Sequence, residues 1–305
     1  MKKFLKTILG ILATFVVLIL IINIVVTKRV ELSYNDEPEN QIAINNTNIH
    51  YRATGNELLP PLLLIHGYQT SSEIFSEILP SLSEKYRVIA IDLIGFGLSD
   101  KSPNLDYSDE NIANLCNKFM KRLGYDKYYV LGHSAGGEVA LSISTLFPEK
   151  VQKLVLVDIV EFSCKQYLGI PPSFFANISP LLLKEASVNY LGQLIFYSQC
   201  FFNKDYIDFD FFEKNLYYNR KISKETLSAI SKIYCSEMGK EHAINVKSKT
   251  LILWGVNDKI ATLDNGYKLN DQIKDSSLVI FQNCGHIPFI EARDSFLSAL
   301  FKFLG

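Results

Sequence analysis

The sequence predicts an α/β fold: a mostly parallel sheet with helices on its faces, an inserted helical segment, and one apolar helix ahead of it. Three observations carry this reading. Short apolar runs at 62–66, 86–92, 128–131, 151–158, 250–255 and 277–281 alternate with stretches of helical period, the repeat that builds a parallel sheet. Those runs are apolar at successive positions rather than every second one, as in strands covered on both faces. One of them, 128–131, runs through Gly132-His133-Ser134-Ala135-Gly136 directly into a helix-like stretch at 136–147. A strand that turns straight into a helix strains its corner residue and leaves no room for side chains two positions either side, which is why glycines flank Ser134.

In chain order, residues 1–6 carry Lys2, Lys3 and Lys6, whereas residues 7–27 carry no charge and are mostly Ile, Leu and Val. As a helix this run spans about 30 Å, the thickness of a bilayer core. A cleavable signal peptide is the alternative. The length of the run and the lack of a small-x-small site near Thr27 favour a retained membrane anchor over residues 1–28. Lys28 and Arg29 follow the span, and the three lysines ahead of it tip the balance toward an inside N-terminus, with the remainder extracytoplasmic.

Residues 30–40 read as a polar linker, and 41–51 alternate around an Asn-rich turn, a hairpin. The strand at 62–66 ends in His66-Gly67, and 72–85 has a helical pattern. The strand at 86–92 leads into Asp92-Leu-Ile-Gly-Phe-Gly-Leu-Ser99. A helix follows over 109–123, with Ser108 as its N-cap. After 151–158 the alternation stops. Residues 161–249 contain Pro171, Pro172 and Pro180 and hold sixteen of the chain's 37 Phe, Tyr and Trp residues in under a third of its length. That excess predicts a helical cap inserted into a core made of 29–160 and 250–305. The core resumes with the strand at 250–255, a helix over 263–273, the strand at 277–281 and a closing amphipathic helix over 290–304. With the hairpin, the strands number eight.

Composition narrows the chemistry. The chain has 305 residues, 48% of them hydrophobic, enough for one large core. A net charge of −1 without a basic stripe gives no nucleic-acid surface. The five cysteines are widely spaced with no C-x-x-C and read as small buried apolar residues. No H-E-x-x-H or carboxylate cluster predicts a metal. Gly95-Phe-Gly97 has Asp100 where a dinucleotide loop needs its third glycine, so it reads as a structural turn and no cofactor is expected.

A serine hydroxyl attacks a carbonyl only with a base beside it. His66 and His133 lie within glycine motifs, His50 in the hairpin and His242 in a charged stretch; His286 alone follows the last strand, at the carboxyl edge where Ser134 points. A third group must orient that imidazole. Asp258, in Trp254-Gly-Val-Asn-Asp258, follows the penultimate strand at the same edge; Asp158, ending an earlier strand there, is the alternative acid. His66 reads as a structural hydrogen-bonder. Tyr68, Gln69 and the cap aromatics either pack or touch substrate.

His66-Gly67, Asp92-Leu-Ile-Gly-Phe-Gly-Leu-Ser99, Gly132-His-Ser-Ala-Gly136, Trp254-Gly-Val-Asn-Asp258 and Gly285-His286-Ile-Pro288 together resemble the α/β-hydrolase superfamily over residues 40–305. The order Ser134, Asp258, His286 is that of its triad. The resemblance implies the α/β-hydrolase fold and a serine nucleophile. It also implies an oxyanion hole from the backbone N–H groups of Tyr68 and Ala135. The anchor and cap are also similar to membrane-anchored monoacylglycerol lipases of this family. The expectation is a membrane-attached serine hydrolase that cleaves carboxylic esters of apolar acyl groups through an acyl-enzyme at Ser134. Its partners are a small-molecule or lipid ester and the membrane, with no obligate protein partner. A carbon–carbon bond hydrolase, an acyltransferase or a peptidase would use the same triad. Haloalkane dehalogenases and epoxide hydrolases need Asp where Ser134 stands. A catalytically silent binding module is the alternative from another class, and the intact triad argues against it.

Overall fold

Eight strands form one sheet: β1 (Gln41–Ile44), β2 (Thr47–Thr54), β3 (Pro61–Ile65), β4 (Arg87–Ile91), β5 (Tyr128–His133), β6 (Val151–Val157), β7 (Lys249–Gly255) and β8 (Ser276–Phe281). The computed structural model describes residues 2–35, 40–159, 184, 188–237 and 245–305. The strand order is β1-β2-β4-β3-β5-β6-β7-β8. The β1–β2 and β2–β4 pairs are antiparallel, and every pair from β4 across to β8 is parallel. The β1–β2 turn is Asn45-Asn46, both at positive φ (51° and 64°), the conformation a two-residue hairpin needs and Asn tolerates. Leu62, Leu63, Leu64 and Ile65 of β3 are all fully buried, as a strand covered on both faces requires. Because β3 to β8 are parallel, the loops leaving β3, β5, β6, β7 and β8 gather at one edge.

Helices α2 (Leu79–Ser83), α3 (Asp109–Arg122), α4 (Ala135–Leu146), α8 (Leu263–Gln272), α9 (Pro288–Glu291) and α10 (Arg293–Leu304) pack around this sheet. Ser108 caps α3 by accepting from the N–H of Asn111 at 3.3 Å. The single helix expected over 72–85 is instead a 3₁₀ turn, Ser72–Phe75, followed by α2. Pro80 sits in the first turn of α2; lacking an N–H it starts a helix but cannot continue one. The expected closing helix is likewise divided, into α9 and α10, at Ala292.

Between β6 and β7 the chain forms α5 (Tyr190–Gln199), α6 (Phe209–Arg220) and α7 (Lys224–Glu237). Much of the expected cap over 161–249, namely 161–183, 185–187 and 238–244, lies outside the described residues. Ahead of the sheet, α1 covers Lys2–Ser33, and its portion Lys6–Ser33 is long and apolar enough to cross a membrane. Residues 30–33, expected to be linker, are helical. Val30 is fully buried against Leu216, Tyr217 and Tyr218 of α6, so tertiary packing extends the helix past the apolar run. Cys116, Cys200 and Cys284 are buried free thiols, and burial pushes that of Cys116 up to about 12. The side chains of Cys164 and Cys235 lie outside the described set.

Candidate active site

Ser134 occupies the corner between β5 and α4 at φ 53°, ψ −126°, outside the regions open to ordinary L-residues. Holding it there costs about 1–3 kcal/mol, so the surroundings must enforce it. They do so by close approach. A Cβ on Gly132 would meet Gly136 O at 2.3 Å, and one on Gly136 would meet His66 O at 2.4 Å. The Ser134 N–H continues the ladder to Val157 O at 2.9 Å, while its carbonyl accepts the first helical bond, from Gly137, at 2.8 Å. The serine thus belongs to strand and helix at once.

Asp258 leaves β7 with both carboxylate oxygens engaged. Oδ1 accepts the N–H groups of Ile260 (2.7 Å) and Ala261 (3.0 Å); Oδ2 lies 2.7 Å from His286 Nδ1. His286, in the loop after β8, is 4% exposed, and its backbone is held from two sides. Its N–H donates to Cys200 O at 2.7 Å, and its carbonyl accepts from His133 Nε2 at 2.8 Å. Ser134 and His286 line one cavity of about 40 Å³ with Gly67, Tyr68, Gln69, Gln193, Phe196, Tyr197 and Asn215. The structure therefore brings Ser134, Asp258 and His286 together. Tyr68 lines the same cavity, and Ala135 opens α4 immediately after Ser134.

Asp158 follows β6 at φ 45° and is wholly buried. Its Oδ1 accepts the Gly255 N–H at 2.9 Å. Donor atoms of Asp158, Asp258 and His286 lie within 4.8 Å of one another. Burial, and then the charge of Asp258, push the Asp158 carboxyl well above the usual range, which favours its neutral form. Within the trio the hydrogen bond runs between Asp258 and His286, and the other Asp258 oxygen is taken by two backbone N–H groups.

Gln69, named from the sequence, is held in this site by Gln193, Asn215 and Asn219, and the His286 loop by Glu291, four residues that the sequence reading did not single out. Gln69 sits at φ 52°, and its carbonyl accepts from Asn215 Nδ2 (2.7 Å) and Asn219 Nδ2 (2.8 Å), two amides one turn apart on α6. Gln193 Nε2 donates to Gln69 Oε1 at 2.9 Å. Glu291 accepts the N–H groups of Gly285 (2.7 Å), Asn203 (2.8 Å) and Phe202 (3.2 Å), joining the His286 loop to the segment after α5. The available signal was polarity out of place: paired amides on an aromatic helix, and a carboxylate in Pro288-Phe-Ile-Glu291.

His66 is structural. Its Nδ1 lies 2.7 Å from Gly67 O and its Nε2 accepts the Leu93 N–H at 3.0 Å; burial keeps the ring neutral. Burial likewise pushes His133 well below its ordinary value. The Asp92 loop is a second knot. Oδ2 takes His50 Nδ1 and the Leu98 N–H, both at 2.8 Å, and Oδ1 takes the Ser72 N–H at 2.7 Å. Burial raises the Asp92 carboxyl, but the His50 bond and these partners outweigh it and hold it down at about 2. A larger cleft of about 700 Å³, with Arg52, Glu73 and Lys214 among its walls, includes none of the three clustered residues.

Comparison with known proteins converges on one family. A family model described as the alpha/beta hydrolase fold matches residues 60–293. Lipase 1 of Psychrobacter immobilis is 28% identical over 249 residues, covering 80% of this chain and 76% of the lipase. The 2-hydroxy-6-oxo-6-(2'-aminophenyl)hexa-2,4-dienoic acid hydrolase of Metapseudomonas resinovorans is 27% identical over 259 residues, covering 80% of this chain and 83% of the enzyme. The crystal structure of a membrane phospholipase A, a bacterial virulence factor, superposes with a TM-score of 0.73 over 99% of both chains at 23% identity.

Proposed function

Since the chain belongs to the α/β-hydrolase family, we propose that it is a membrane-anchored serine hydrolase of carboxylic esters with an apolar acyl group. One observation carries the reading. The His286–Asp258 hydrogen bond of 2.7 Å opens onto the cavity that holds the strained Ser134. With its Nδ1–H donated to Asp258, His286 presents the Nε2 lone pair as base. Ser134 Oγ attacks the ester carbonyl carbon while its proton passes to His286 Nε2. The tetrahedral oxyanion lies at the N–H groups of Tyr68 and Ala135. Collapse expels the alkoxide, which takes the proton from His286, and leaves an acyl-enzyme. Water, deprotonated by His286, then releases the acid and restores the serine. Removing one oxyanion donor costs about a hundred- to a thousandfold in rate in comparable sites. The amide clamp on the Gln69 carbonyl supports the loop that carries Tyr68.

Residues 1–28 act in this reading as a single-pass anchor, N-terminus inside and catalytic part extracytoplasmic. A second reading, hydrolysis of a carbon–carbon bond in a polar dienoate, is favoured by the buried amides Gln69, Gln193 and Asn215 in the cavity. Ile74, Phe196 and Ile287 in the same wall favour the apolar ester. The deciding experiment compares kcat/KM for p-nitrophenyl esters from acetyl to octanoyl with that for a 2-hydroxy-6-oxo-dienoate. The ester reading predicts the best ester ahead; a dienoate turned over faster than every ester overturns it.

A further inference from the structure

Helix α5 has two faces with different surroundings. Gln193, Phe196 and Tyr197, at helical spacing, line the Ser134 cavity, as does Cys200 just past its end. Leu191 and Ile195, one turn apart on another face, are 40% and 52% exposed, and Phe202 just beyond the helix is 46% exposed. One helix separates this apolar stripe from the cavity.

The N-terminus of α5 is fastened to α1. Asn23 Oδ1 accepts the Leu191 N–H at 2.8 Å, and Thr27 Oγ1 accepts the Tyr190 N–H at 3.0 Å. Further bonds fix the same docking: Arg220 to Glu31 at 2.7 Å, Arg29 to Glu213, and the Tyr34 and Tyr217 rings at 5.7 Å. Asn23 lies four residues before Thr27, the last residue ahead of the first charge, Lys28. At 1.5 Å per residue, the Leu191 backbone is level with a point about 6 Å inside the apolar run. An Asn inside a membrane span is costly without a partner, and here the first turn of α5 supplies it.

We infer that the stripe of Leu191, Ile195 and Phe202 is seated in the lipid leaflet surrounding the last apolar turns of α1, and that ester substrate reaches Ser134 from that leaflet. The inference rests on reading α1 as a membrane span. The stripe continues α1's own exposed apolar surface, which includes Ile24 and Val25, so a single lipid phase covers both. A water-facing α5 would instead require the leaflet boundary to step around Leu191 while keeping Asn23 in hydrocarbon.

The test is depth-dependent tryptophan quenching of the full chain in vesicles containing brominated phosphatidylcholine. The native Trp254 is fully buried, so it contributes a constant background. Ile195→Trp probes the stripe and Phe15→Trp probes mid-α1. Leu58→Trp, 93% exposed and ahead of β3 at the opposite edge of the sheet from Ser134, is the water-facing control. The inference expects quenching of the Ile195 probe by shallow bromines and of the Phe15 probe by deep ones, with the Leu58 probe unaffected. Quenching at Phe15 with the Ile195 probe as unaffected as Leu58 overturns the inference and leaves the span intact. No quenching at Phe15 overturns the span itself. In a parallel assay, Ile195→Glu should lower turnover of a vesicle-embedded ester roughly tenfold, from lost apolar burial at the interface, and leave a water-soluble ester unchanged. Equal losses on both substrates would overturn the lipid route.

Discussion

Replacing Asp258 by Asn tests the site at one atom. Asp258 Oδ1 accepts two backbone N–H groups, from Ile260 at 2.7 Å and Ala261 at 3.0 Å. An amide must keep its oxygen there, because turning its NH₂ toward those donors leaves buried groups unpaired at about 1–3 kcal/mol each. The NH₂ then occupies the Oδ2 position, 2.7 Å from His286 Nδ1. It can only donate, so Nδ1 becomes the acceptor and the ring proton moves to Nε2, where the base needs a lone pair. Loss of the correct tautomer in comparable triads costs about 10⁴-fold in kcat, or about 5.5 kcal/mol. Asp158→Asn is the matched control. Burial and the Asp258 charge push the Asp158 carboxyl toward its neutral form, which an amide imitates, and the residue does not touch His286 through a hydrogen bond, so the expected loss stays below about tenfold. The assay is kcat on a p-nitrophenyl ester with purified folded variants in detergent. Asp258→Asn retaining a tenth of wild-type activity, or losing less than Asp158→Asn, refutes this reasoning and transfers the acid role to Asp158.

Four further outcomes are expected. Ser134→Ala loses about 10⁴ to 10⁶ in kcat with its unfolding transition unchanged, checked by activity and calorimetry together. Deleting residues 1–28 leaves Val30 and its α6 partners in place and yields a folded soluble enzyme. Full-length protein in the detergent-free soluble fraction would contradict an anchor. With each buried CH₂ worth about 0.8 kcal/mol, three added methylenes raise kcat/KM by tens-fold until the pocket fills; a monotonic fall from acetyl to octanoyl esters rejects an apolar acyl site. Asp92 has its carboxyl lowered from 3.8 to about 2 on folding, so its contribution is present above about pH 4 and lost as pH falls toward 2. Asp92→Asn should cost about 2 kcal/mol at neutral pH, with the gap to wild type closing between pH 4 and pH 2 in denaturant titrations.

The sheet was legible in the sequence because parallel strands buried on both faces read as continuous apolar runs. The run at 62–66 became β3 with four fully buried side chains. Asn45-Asn46 announced its hairpin through the only backbone such a turn accepts. The division at Pro80 was less visible, since a proline at the second position of a helix looks like one within it until the preceding turn is placed. The continuation of α1 to Ser33 was hidden for another reason. Residues 28–33 are polar in sequence, and only contact with α6, through Val30 and the Arg220–Glu31 pair, makes them helical. At the site, the convergence of Ser134, Asp258 and His286 was legible because each follows a strand at the same edge. Asn215, Asn219 and Glu291 were not. Their roles depend on backbone carbonyls and N–H groups of distant loops, which leave no pattern in the chain.

The most direct measurement of the central claim is the intact mass of the full chain after reaction with a fluorophosphonate, followed by peptide mapping of the adduct. A serine activated by His286 and Asp258 predicts a single adduct, on the peptide that contains Ser134, lost in Ser134→Ala. Folded wild-type protein without an adduct, or undiminished labelling of Ser134→Ala, contradicts it.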